Sequence, residues 1–108
     1  MDINIIREIR NQLIATAGLS VIFSWGYHNA AATTINNMSA LTFLVQGFDF
    51  KGRIWVAYNE GKDTYQIFGQ RKGQNQPSCL IEETYCDTFA NQLDKLIENG
   101  PEGQKFYG

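Results

Sequence analysis

The chain has 108 residues, 44% of them hydrophobic and 19% charged, which is the composition of one globular domain and excludes a disordered or collagen-like chain. Aromatic residues make up 13%, enough for a domain of this size to bury a core. The net charge of −2 and pI of about 5.2 exclude the overall basic excess of a dedicated nucleic-acid binder, but not a local basic patch.

Apolar residues at Ile5, Ile6, Ile9, Leu13 and Ala17 recur at helical spacing and predict a helix over 3–16. Asp2 is placed to cap it and Gly18 to stop it. Arg7 and Arg10 ahead of the apolar run Leu13–Trp25 bear a faint likeness to a secretion signal. Asp2 and Glu8 break its positive start, and a run of 13 residues falls short of the ~20 that span a bilayer. The expected location is cytoplasmic, with no membrane contact.

Residues 19–25, rich in β-branched and aromatic side chains, predict a short strand. Residues 26–39 have no clear period and predict a loop, with at most a turn of helix at Ala30–Ala32. Three antiparallel strands follow at 41–49, 53–59 and 63–70, with turns at Lys51-Gly52 and Asn59–Lys62. A two-residue Glu60-Gly61 loop pairs Tyr58 with Asp63, Val56 with Tyr65 and Ile54 with Ile67, and gathers the apolar set on one face.

Residues 71–78 read as a polar loop, and Cys79-Leu80-Ile81 as a fourth short strand. A second helix is expected over 84–98, with Tyr85, Phe89, Leu93, Leu96 and Ile97 on one stripe. Thr84 and Asp87 resemble a capping box, and Asn99-Gly100-Pro101 ends the helix. The tail 99–108 is expected to be loose, with Phe106 and Tyr107 free to dock.

These elements predict an α+β fold in a single domain, 1–108. An antiparallel sheet of three to four strands has N- and C-terminal helices packed on one face, in the order α-β-β-β-β-α. Leu41, Phe43, Val45, Ile54, Val56, Tyr65 and Ile67 form the expected core face. Thr42, Leu44, Gln46, Phe48, Arg53, Trp55, Gln66 and Phe68 form the outer face.

Three features bear on function. Leu44, Phe48, Arg53, Trp55 and Phe68 make the outer face half apolar. If nothing covers it, it is an interaction surface for a second copy or another protein. If residues 17–39 fold over it, it is a second core. Trp25, Tyr27 and His28 are candidates to line a small-ligand pocket. Lys51, Arg53, Arg71 and Lys72, at the hairpin ends, are candidates to contact phosphates, with Trp55 or Phe68 stacking bases.

Cys79 and Cys86 are too few for a disulfide framework, and a zinc site needs about four ligands. No phosphate loop, GxGxxG, HExxH or GxSxG motif occurs. The expectation is a non-enzymatic protein-interaction or accessory module without cofactor or metal. A nucleic-acid-binding domain using the basic hairpin ends is the alternative.

The order helix, three strands, helix resembles the double-stranded-RNA-binding domain in topology. That family's Gly-Pro-x-His loop and Lys-rich opening of the last helix are absent. Glu82, Glu83 and Asp87 stand there instead, so the resemblance implies fold alone. The run Gly52-Arg53-Ile54-Trp55-Val56, then Asp63-Thr64-Tyr65-Gln66-Ile67-Phe68, Tyr85-x-Asp87 and Leu96-Ile97 resembles small uncharacterised proteins of gut-bacterial phages and mobile elements. Their usual Asp-Leu-Tyr is Asp-Thr-Tyr here. That likeness implies an accessory protein acting on a host or phage partner.

Overall fold

A computed structural model describes residues 2–47 and 50–99. The first helix, α1, runs Ile3–Ala17, and the Asp2 carboxylate accepts the Asn4 backbone N–H at 2.9 Å, as the cap position requires. Ile6, Ile9 and Leu13 are its buried stripe. Gly18, at φ 86°, ends it in a conformation that favours glycine.

A second helix, α2, spans Leu19–Ser24, where a strand was expected. Tertiary packing overrides the β-forming composition of this stretch. A helix puts Ile22 and Trp25, three residues apart, on one side. Both are buried in the main core. A strand would have turned them to opposite faces.

Five strands follow: β1 His28–Ile35, β2 Met38–Gln46, β3 Lys51–Asn59, β4 Thr64–Arg71 and β5 Ser78–Thr84. They form one sheet in sequence order, with every neighbouring pair antiparallel. The class is therefore α+β, with five strands rather than three to four. The extra strand, β1, lies in the segment expected to be a loop. Its turn is Asn36-Asn37, both at positive φ (50° and 64°), between the paired Ile35 and Met38. Positive φ at both central residues is the two-residue hairpin geometry whose twist matches the strands.

The β3–β4 turn has four residues, 60–63, and not two. Asn59 pairs with Thr64, Val56 with Ile67 and Trp55 with Phe68. The register differs from the expected one by two positions, so each residue keeps its face. Lys51 and Gly52, expected to form a turn, belong to β3 and pair with Gln46 and Val45 of β2.

The C-terminal helix is shorter than expected. Thr84 ends β5, helix α3 covers Phe89–Asp94, and a π-helical turn covers Lys95–Asn99. The Thr84 hydroxyl meets Thr88 Oγ1 at 3.1 Å and also donates to Gln92 Oε1, so it ties β5 to α3 instead of capping a helix with Asp87. Phe89, Leu93 and Ile97 keep the expected buried stripe, whereas Tyr85 stands outside it, 53% exposed. The tail beyond Asn99 lies outside the described residues.

α1 packs on β2 and α3. Leu41, Phe43, Val45, Ile54, Val56, Tyr65 and Ile67 share the main core with Trp25, Phe50 and Phe89. Among the described residues no helix is long and apolar enough to cross a membrane.

Candidate anion-binding groove

The ladder places the hairpin-end cations side by side. Gly52 pairs with Arg71 and Arg53 with Gln70, at the open end of the β3–β4 hairpin. Alternation sends Lys51 and Arg53 to the outer face and Arg71 to the inner one. There the Arg71 guanidinium carbon lies 4.5 Å from the centroid of the Phe50 ring. A tight return at 72–74 brings Lys72 alongside. The Arg71 N–H donates to Gln74 Oε1 at 2.6 Å, the Gln74 N–H donates to the Arg71 carbonyl at 3.0 Å, and Gly73 supplies a φ of 95°.

Gly52 lets these strands approach closely. A Cβ built there would lie 3.0 Å from the Arg71 Cα and nearer still to the Gln70 carbonyl oxygen. Its φ of 154° also disfavours other residues.

The result is a groove of about 460 Å³ over the end of the sheet, and Lys51, Arg53, Arg71 and Lys72 all line it. Leu44 and Val45 supply an apolar wall, and Gln70 and Gln74 supply amides. Among the described residues no carboxylate lines it. Arg53 is held in place, with its Nη1 donating to Thr42 Oγ1 at 3.1 Å. Thr42 in turn donates to the Ile54 carbonyl at 2.9 Å. Lys51 and Lys72 are exposed. Clustered cations in a concave site focus positive potential there despite a net negative chain.

The other expected sites come apart. Trp25 is fully buried, and its Nε1–H donates to Asp94 Oδ1 at 2.9 Å. Tyr27 leans on Phe43 with ring centroids 4.7 Å apart. Burial raises its pKa, and the nearby Arg10 partly offsets that. His28 is exposed; its Nδ1–H donates to the Gly26 carbonyl at 2.6 Å, and its side chain lines the basic groove. Tyr27 and His28 line different hollows, and Trp25 lines neither.

Nor is the outer face an open apolar patch. Phe68 is 5% exposed, and Ala40 and Ala57 are fully buried, with Ile35, Met38 and Trp55 packed on them. The small alanines let the larger neighbours close over them. Ile35 and Met38 come from the 17–39 segment, while Ile22 and Trp25 of the same segment join the inner core. Phe48 lies outside the described residues. Trp55 and Phe68 do not line the basic groove, so the expected base-stacking partners are not beside the cations.

Both cysteines are free and exposed, and burial pushes the Cys79 thiol pKa up, with Glu82 adding to it. Among the described residues no three His, Cys, Asp or Glu side chains are grouped to hold a metal ion. Compared with known proteins, the chain matches no family model, no curated protein and no solved structure.

Proposed function

We propose that the protein is a small non-catalytic binding module whose groove takes the phosphate backbone of single-stranded nucleic acid. The observation that carries this reading is that Lys51, Arg53 and Lys72 share one groove that no described carboxylate lines. Phosphate contacts by Lys and Arg supply most sequence-independent affinity. A groove of about 460 Å³ has room for one or two nucleotides of a single strand.

Among the described residues no Phe, Tyr or Trp lines the groove, so the binding is backbone-directed and sequence-tolerant. Leu44 offers apolar contact to sugars. The test is an electrophoretic shift of a short single-stranded oligonucleotide at low and high salt. A shift at low salt that weakens sharply at high salt supports the reading, and no shift at low salt removes it.

A further inference from the structure

The opposite end of the same hairpin has the opposite character. Tyr58 at the end of β3, Asp63 before β4, Tyr65 in β4, Tyr85 after β5 and Glu8 on α1 line a separate groove of about 520 Å³. The Tyr58 and Tyr65 rings form one wall, their centroids 5.2 Å apart and their planes tilted by 47°. Tyr65 is backed in turn by Phe89 at 5.0 Å, which anchors that wall to the core. Tyr85 adds a third ring, half exposed and without a packing role.

The two carboxylates are positioned by neutral groups. The Tyr58 hydroxyl donates to Asp63 Oδ1 at 2.5 Å, and Gln12 Nε2 donates to Glu8 Oε1 at 3.0 Å. Among the described residues neither carboxylate is ion-paired, and no Lys or Arg lines the groove. Lys62 sits on the same turn but lines a different hollow, together with Glu82 and Glu83. The backbone also spends strain here, since Asp63 holds a φ of 53°.

From these features the geometry points to a binding site for an organic cation, an alkylammonium group, held by the rings of Tyr58 and Tyr85, with the buried Tyr65 at the floor, and by the carboxylates of Glu8 and Asp63. Aromatic faces attract cations through the ring quadrupole, and an ammonium sheathed in alkyl groups gains apolar contact as well. Burial pushes the Tyr65 pKa up to about 12, and Cys86, Tyr58, Glu8 and Asp63 add to it in that order. The site is independent of the basic groove, with which it shares no lining residue.

The group has two sources, a small-molecule amine or a lysine side chain, and the experiment separates them. The full-length protein is titrated with choline, with its neutral isostere 3,3-dimethylbutan-1-ol and with Nα-acetyl-lysine methylamide, following the tyrosine ring resonances by NMR. Saturable shifts of Tyr58, Tyr65 and Tyr85 with choline or the lysine amide, and at least about fivefold weaker binding of the isostere, are expected. Tighter binding of choline assigns the site to a small amine; tighter binding of the lysine amide assigns it to a protein side chain.

Glu8→Gln and Tyr85→Leu alter exposed side chains, so the fold survives both, and each should weaken the cation about two- to fivefold. Equal binding of the neutral isostere overturns the proposal. So do the absence of any saturable shift and variants that bind like the wild type.

Discussion

Replacing Trp25 with Phe tests how the N-terminal helices are joined to the C-terminal one. Trp25 follows α2, is fully buried, and donates its Nε1–H to Asp94, 69 residues away on α3. Phe keeps one ring and loses the fused ring and the donor. The lost apolar volume is worth roughly two methylenes, or about 1.5 kcal/mol. A hydrogen bond to a carboxylate adds about 1.5 kcal/mol, the low end of its range because Asp94 is only half buried.

The expected loss is therefore about 3 kcal/mol, a large share of the roughly 5–15 kcal/mol typical of a domain. At about 4 °C per kcal/mol for this size, the melting temperature should fall by about 12 °C. Urea unfolding followed by circular dichroism measures the change directly. Asp94→Ala and the double variant complete a cycle, in which a coupling energy of about 1 kcal/mol or more is expected. A loss under about 1 kcal/mol for Trp25→Phe, or strict additivity in the cycle, would refute the reasoning.

Three further outcomes follow from the same packing. Gly69→Ala places a Cβ 2.6 Å from Leu80 Cδ1 and 2.8 Å from Phe50 Cζ, and should cost about 1–3 kcal/mol by urea denaturation. Asn37→Val forces a β-branched residue to a φ of 64° and should cost about 1–2 kcal/mol, whereas Asn37→Gly should be nearly neutral. Tyr65 has its pKa raised to about 12 in the folded protein, against about 10 when unfolded. Its contribution is present in full below pH 10 and is lost as pH rises toward 12. Unfolding titrations should show that loss, and Tyr65→Phe should shrink it without abolishing it, because Tyr27 and Tyr58 are raised too.

The parts of the fold that could be read in the sequence are those where local pattern and tertiary demand agree. α1 shows helical spacing, an aspartate cap and a glycine stop, and each does what its chemistry suggests. The core face of β2–β4 survives even a wrong turn length, because a two-residue slip preserves the alternation. The misreadings have local causes. Leu19–Trp25 is made of strand-formers, and only the need to bury Ile22 and Trp25 together makes it a helix. β1 carries three alanines and shows no alternation, as an edge strand with a bulge between His28 and Ala31 permits. The signal that would have found it is Asn36-Asn37, a pair able to take positive φ at both turn positions.

The candidate site was half legible. Lys51, Arg53, Arg71 and Lys72 were recognisable as hairpin-end cations. That they share one groove with Leu44 and His28 depends on the 72–74 return and the close approach at Gly52, which spacing alone does not reveal. The tyrosine groove was not visible, because its residues come from three distant segments, α1, the β3–β4 hairpin and the stretch after β5.

The central claim is that Lys51, Arg53 and Lys72 neutralise backbone phosphates, and the salt dependence of binding tests it most directly. Fluorescence anisotropy of a labelled single-stranded oligonucleotide should give a slope of log K against log salt near −2.1, about −0.7 for each of three phosphates. Between 50 and 200 mM salt that amounts to roughly a 20-fold loss of affinity. Lys51→Glu/Lys72→Glu changes two exposed side chains and should flatten the slope to about −0.7 while weakening binding at low salt at least about tenfold. A slope near zero, or a double variant that binds with the wild-type slope, would contradict the account.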